Sequence, residues 1–390
     1  MQTTLPQPNA DAIAHSLALS EKIHQAIQLN DNWMGFADFM HSALYEPGLG
    51  YYSGGAKKFG FAGDFVTAPE ISPLFAKTIA NQVAQVIETL KTQNIQSDVL
   101  ELGAGTGLLA KDLLLALHDS NNRFQRYFIL EVSAHLRGVQ REKLQAELPA
   151  ELFEKVVWLD TLPNEFNGFI LGNEVLDALP IDIVKKREQG LFEVGVISDN
   201  HQFSWQEKPL KDAQLKQFVE SLNLSEDYTV EVCPAASGLI ASLAEMLQRG
   251  ALMMVDYGFS RVEYYHPQRH QGTLMCHYRH HAHDNPLLYL GLQDITAHVD
   301  FTRIAEAGVR AQLDLAGFTN QAQFLINAGI MKFLETAALD KQENYLPIVA
   351  AVQKLLSPAE MGDLFKVIAF TKNLDIDLIG FSAGDKTHTL

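Results

Sequence analysis

The chain has 390 residues, 47% of them hydrophobic, enough to bury a large core in one elaborated domain or two. A net charge of −17 excludes indiscriminate binding to nucleic acid or to an anionic membrane surface. Two cysteines, Cys233 and Cys276, supply neither a disulfide framework nor a zinc-ligand set, which fits a reducing compartment. The first thirty residues hold one basic residue, Lys22, and no long apolar run, and the stretch Ala251 to Val255 is far too short to span a membrane. The expectation is a soluble cytoplasmic protein without membrane insertion.

In chain order, residues 1–75 read as an N-terminal helical segment followed by a glycine-rich stretch from Tyr45 to Phe75. Six glycines between Gly48 and Gly63 are interleaved with Tyr and Phe, a pattern that predicts a flap over a pocket rather than a regular element. From residue 76 onward, short apolar runs alternate with helical periodicity, the signature of an α/β fold with a parallel sheet. Strands are expected at 98–102, 126–131, 155–159 and 167–172, with helices near 106–118 and 134–147. Residues 181–232 interrupt the alternation. Ile183–Lys186, Leu191–Val196 and His201–Trp205 read as antiparallel strands, followed by a helix at 211–222, which together predict an inserted β-rich subdomain. The core resumes with a helix at 236–248 and a strand at 251–255, and strands are expected near 310–315 and 364–371. A helical addition near 319–356 and a loose tail at 373–390 complete the layout, with 76–180 and 233–372 forming the core.

The run Asp98-Val99-Leu100-Glu101-Leu102-Gly103-Ala104-Gly105-Thr106-Gly107 reads as a strand, a tight turn and the start of a helix. Such a turn lets a ligand touch bare backbone. Glu101, two residues before the first glycine, would repel a pyrophosphate but suits a ligand carrying an ammonium and a sulfonium, as S-adenosylmethionine does. The Gly-x-Gly-x-Gly spacing of Gly103, Gly105 and Gly107, with Ala104 and Thr106 between, also departs from the dinucleotide pattern. Glu131 closes the second strand in register with this turn and is placed to accept from both ribose hydroxyls. Asp160 ends the third strand, where an acid can take an adenine amino group or simply form a turn.

Asn173-Glu174-Val175-Leu176-Asp177-Ala178-Leu179-Pro180 follows the fourth strand, at the strand end where open parallel sheets gather their active sites. Glu174 and Asp177 stand three apart, so one helical turn would put both carboxylates on one side. Asp256-Tyr257-Gly258 ends the fifth strand and can line the same cleft. The histidines between His277 and His283 lack a metal-ligand pattern and read as a polar loop. His298 and Asp300 read as orienting residues.

The glycine turn resembles that of class I S-adenosylmethionine-dependent methyltransferases, and three more motifs narrow the match. FGFAGDFVTAPEISPLF (residues 59–75), NEVLDALP (173–180) and QDITAHVDF (293–301) together resemble the MidA-type family, over about residues 35–372. That family includes the mitochondrial methyltransferase that assists assembly of respiratory complex I. The resemblance implies a Rossmann-like core with a mostly parallel seven-stranded sheet, S-adenosylmethionine as methyl donor, and methylation of protein arginine. It assigns Glu101, Gly103, Gly105 and Gly107 to the donor turn, Glu131 to the ribose, and Asn173 and Glu174 to the catalytic strand end. A protein acceptor such as a respiratory-complex subunit is implied, and a homodimer is left open. Two alternatives share the donor site: a small-molecule acceptor, or an assembly factor whose bound donor is structural.

Overall fold

The structure is a computed structural model, described for residues 5–54, 67–122, 124–339 and 345–390. Most of the expected flap, residues 55–66, lies outside the described residues. The chain divides into two compact units. The larger comprises residues 66–176, 237–260 and 300–390, and the smaller residues 1–65, 177–236 and 261–299.

Among the described residues the main sheet has eight strands, the two-residue Val299–Asp300, which pairs with β5, and seven longer ones: β1 Asp98–Leu102, β2 Tyr127–Leu130, β3 Val156–Leu159, β4 Phe166–Asn173, β5 Leu247–Phe259, β6 Asp314–Asn320 and β7 Phe365–Lys372. Their order is β6-β7-β5-β4-β1-β2-β3. β1 to β5 run parallel, whereas β7 lies antiparallel between β5 and β6. This is the Rossmann-like α/β arrangement expected from the sequence. Glu101 registers with Ile129 and Leu171, and Asn173 registers with Val255. The carboxyl ends of β1, β2, β4 and β5 therefore share one edge, which is where the candidate residues lie.

Parallel neighbours need crossovers, and helices supply them. The helices labelled here are α1 Pro73–Thr92, α2 Leu108–Asp119, α3 Ala134–Glu147, α4 Pro234–Met246 and α5 Phe301–Arg310. Ile79, Val83 and Leu90 of α1 and Leu113 and Leu117 of α2 are fully buried in one core with Val99, Phe169 and Leu171 of the sheet. Each such side chain contributes roughly 1.5–3 kcal/mol on leaving water.

The strand at 310–315 and the tail at 373–390 differ from the sequence expectation. The strand expected at 310–315 starts later, because α5 occupies residues 301–310. Phe301, Ile304, Ala305 and Gly308 bury one face of that helix, and the Asp300 carboxylate caps it by accepting from the Arg303 backbone N–H at 3.1 Å. The addition near 319–356 resolves into helices Gln321–Asn327, Ile330–Leu339 and Tyr345–Leu356. Residues 373–390 are not a loose tail. Gln85 and Gln82 accept from the Ile379 and Gly380 backbone N–H groups at 3.0 and 2.9 Å, and Phe381 is buried in the core. Asn327 donates to the carbonyls of Gly380 and Ala383, and Leu374 and Leu378 join Phe381 in the core.

The smaller unit is larger than the insertion expected at 181–232. The three expected strands appear within Asp182–Arg187, Gly190–Asp199 and Gln202–Pro209, but Met34–Gly35 also pairs antiparallel with Gly190–Asp199. Ile23, Phe39 and Leu44 from the N-terminal helices share one core with Ile183 and Val194 of the insertion and with Leu290 and Ile295. Residues 261–299, assigned to the methyltransferase core from the sequence, therefore belong with the insertion and the N-terminal segment. Among the described residues no helix is long and apolar enough to cross a membrane.

Candidate active site

All residues that build the site lie in the larger unit. The turn after β1 carries Gly103, Gly105 and Gly107 at φ of +58°, +53° and +78°, a region that L side chains rarely adopt. A Cβ on Gly103 would also meet Val175 Cγ2 at 3.3 Å, and one on Gly107 would meet Gln140 at 3.4 Å. Glycine at these positions lets the turn form and lets β4's exit approach it. The Gly103 backbone N–H donates to the Leu130 carbonyl at 2.9 Å, which joins the turn to the end of β2.

Glu101 is buried beneath this turn and accepts from the Tyr127 hydroxyl at 2.6 Å. Burial raises its pKa to about 7; the Tyr127 hydrogen bond acts against that rise, and the nearby Glu131 charge adds to it. Glu131 is likewise buried. It accepts from the Ser133 backbone N–H at 2.9 Å and from Gln140 Nε2 at 3.1 Å. Two buried carboxylates, one raising the pKa of the other, form a site that favours a cation.

Asp160 is placed differently from its expected role. Its side chain is 90% exposed and pairs with Arg137 Nη1 at 2.6 Å. Arg137 also donates to the carbonyls of Glu131 and Leu159, at 2.6 and 2.5 Å. Arg137 thus clips the ends of β2 and β3 together, and Asp160 pairs with that clip.

At the end of β4, Asn173 Nδ2 donates to Glu174 Oε1 at 3.0 Å, and the Tyr257 hydroxyl donates to Glu174 Oε2 at 2.9 Å. Both carboxylate oxygens are thereby held. Asn173 Oδ1 is buried and has no hydrogen-bond partner among the described residues. An unmet buried acceptor of this kind costs about 1–3 kcal/mol unless a ligand supplies a donor.

The helical turn expected to align Glu174 with Asp177 does not form. Glu174 sits at φ +54°, and residues 174–180 are bends and turns. The fully buried Asp256 holds the non-helical path in place. Its Oδ2 accepts from the backbone N–H groups of Val175 and Leu176 at 3.1 and 2.8 Å, and the Glu174 N–H donates to the Val255 carbonyl at 2.9 Å. A residue at positive φ breaks the helical path at Glu174, and these bonds secure the bend that follows it. Asp177 falls in the smaller unit, buried, where its carbonyl accepts from the Ala297 N–H at 3.1 Å.

Gln140 was not anticipated, although one sequence signal was available. Leu136, Gln140 and Leu144 are the buried residues of α3, four apart, so a polar side chain interrupts an apolar stripe. In the smaller unit, His277 and His283 lie on the paired strands Met275–Tyr278 and His281–His283, and burial lowers both pKa values. Asp300 orients α5 as its cap, and the His298 backbone N–H donates to Thr273 Oγ1 at 3.0 Å.

A family described as S-adenosyl-L-methionine-dependent methyltransferases matches residues 78–319. The fold is also similar to a COG1565 superfamily member from Burkholderia thailandensis crystallised with S-adenosyl-homocysteine. That chain is 47% identical, with 99% of this chain and 100% of the other covered at a TM-score of 0.95. The protein arginine methyltransferase NDUFAF7 homolog of Caenorhabditis elegans is 28% identical over 90% of this chain and 87% of its own. The mitochondrial protein arginine methyltransferase NDUFAF7 of Homo sapiens is 29% identical over 85% of this chain and 79% of its own. The chain belongs to this family of S-adenosyl-L-methionine-dependent methyltransferases, as its motifs imply.

S-adenosyl-L-methionine is the family's cofactor, and the residues fit it. The bare turn at 103–107 and the buried Glu101 suit a backbone-hugging cation. The oriented Glu131 suits a pair of ribose hydroxyls.

Proposed function

We propose that this methyltransferase acts on arginine side chains of a protein substrate. S-adenosyl-L-methionine, when bound, supplies a methyl group already activated by its positive sulfur. The protein's work is then to hold the acceptor, exclude water and fix orientation. The observation that carries the reading is the Asn173–Glu174–Tyr257 cluster. Glu174 is held on both oxygens by neutral donors while Asn173 Oδ1 waits for a donor of its own. Two adjacent acceptors, one of them a carboxylate, suit a planar cation rich in N–H groups, as guanidinium is. Glu174 would hold that plane and draw its positive charge toward the carboxylate. Tyr257 takes the supporting part first expected of Asp177. The names of the relatives in worm and human support the same acceptor class.

Incubating the protein with labelled donor and a cell extract tests this reading. Label is expected in a protein band whose digest yields methyl-arginine. Label confined to small solutes would overturn the arginine reading in favour of a small-molecule acceptor. No transfer to any acceptor, despite tight donor binding, would favour a non-catalytic assembly factor.

A further inference from the structure

We propose that Gln140 is a positioning residue that couples the glycine turn to the ribose-binding carboxylate and so sets selectivity for a ribonucleoside. Its side-chain amide, fully buried on α3, makes three hydrogen bonds. Nε2 donates to the Gly105 carbonyl at 2.9 Å and to Glu131 Oε2 at 3.1 Å, and Oε1 accepts from Trp158 Nε1 at 2.9 Å. The partners dictate the orientation of the amide. Turned over, it would set oxygen against a carbonyl and a carboxylate, and N–H against the indole N–H. One rigid group therefore spans the turn after β1, the acid after β2 and a side chain of β3.

The consequence is geometric. The Ser133 N–H donates to one Glu131 oxygen and Gln140 to the other, and bonds on both oxygens oppose rotation about the last side-chain bond. A carboxylate offers about four acceptor positions, and the Gln140 bond fixes which way they face. Because the same nitrogen also holds Gly105, the distance between the turn and the carboxylate is set by one amide. Gly107 lies against Gln140, where a Cβ would stand in van der Waals contact at 3.4 Å. The three other polar groups of the network are all left without this partner if the amide is removed.

The inference rests on Glu131 accepting from the ribose, and the test separates the two. Calorimetry would compare S-adenosyl-homocysteine with its 2′-deoxy counterpart on the wild type, Gln140→Met and Gln140→Glu. Methionine keeps the volume without the hydrogen bonds. Glutamate keeps an acceptor for Trp158 but sets a second carboxyl against Glu131, and it serves as the second variant should the first not fold. The wild type is expected to prefer the ribonucleoside by about tenfold or more, the scale of a hydrogen bond to a charged group. Each variant is expected to shrink that preference to within about threefold. A wild type that does not discriminate would overturn the ribose reading of Glu131 and the inference with it. A variant that binds both ligands more weakly but keeps the wild-type ratio would overturn the inference alone, because a purely structural role weakens both ligands equally.

Discussion

At the ends of β1 and β2, Glu101 receives the Tyr127 hydroxyl, and Glu131 receives the Ser133 N–H and the Gln140 amide. At the ends of β4 and β5 the Glu174 carboxylate is held on both oxygens, yet the neighbouring Asn173 Oδ1 receives nothing among the described residues. The first region is organised ahead of its ligand and selects by fixed shape and charge. The second keeps an acceptor in reserve and selects by the donor a substrate must bring. A buried network satisfied in advance loses little on binding, whereas an orphaned acceptor penalises any partner lacking an N–H. The two regions should therefore respond to substitution in different observables, affinity for the donor in one and turnover in the other.

The largest effect is expected from Gly105→Val. A β-branched residue at φ +53° is strained, and its side chain would stand where a ligand meets the turn. Affinity for S-adenosyl-homocysteine should fall on the order of a thousandfold by calorimetry, about 4 kcal/mol, while the circular dichroism spectrum stays that of the wild type. A loss below tenfold would mean that the turn is not the binding element. Next comes Glu174→Gln, expected to cut turnover about a hundredfold with donor affinity within twofold. If instead donor affinity fell and turnover per bound donor held, the division between the two regions would collapse.

A smaller, pH-dependent effect belongs to Glu101. Its folded pKa of about 7 lies above the ordinary glutamate value of 4.5, so the unfolded chain binds fewer protons between these values. This group's contribution to stability is therefore most favourable below pH 4.5. It declines as pH rises toward 7 and levels off above, a change of up to about 3 kcal/mol. Glu101→Gln should raise the melting temperature of the ligand-free protein at pH 8 and leave it unchanged near pH 4. Binding of a cationic donor should reverse the sign for the wild type and tighten between pH 6 and 8, whereas in Glu101→Gln it should be weaker and flat across that range. A wild-type binding curve flat with pH would remove Glu101 from contact with the cation.

The region organised in advance was the more legible from sequence, and the reasons are local. Glycine spacing and a carboxylate two residues upstream report a backbone conformation directly, and strands β1 to β4 follow from short apolar runs. Legibility fails where partners come from afar. Nothing in Asn173–Pro180 discloses that Glu174 takes a positive φ in place of the helical turn that would have joined it to Asp177, or that Asp256, some eighty residues on, secures the bend through the N–H groups of Val175 and Leu176. The same holds for the terminal segment, docked by two glutamines of α1, and for residues 261–299, whose Leu290 and Ile295 pack with the N-terminal helices. Gln140 stands between these cases. Its place in an apolar stripe was visible, but its three partners come from three strand ends.

The smallest effect sharpens the boundary of the first region. Asp160, read from sequence as a contact for the adenine amino group, is 90% exposed and pairs with Arg137. Exposed ion pairs are worth about 0–1 kcal/mol, so Asp160→Asn should leave stability nearly unchanged and donor affinity within about twofold. Arg137→Met should cost more, because the guanidinium also holds the Glu131 and Leu159 carbonyls, and with them the strand end that carries the ribose acid. Calorimetry on the two variants ranks them. Should Asp160→Asn weaken the donor tenfold while Arg137→Met does not, the acid would act on the ligand itself, and the organised region would extend to the end of β3.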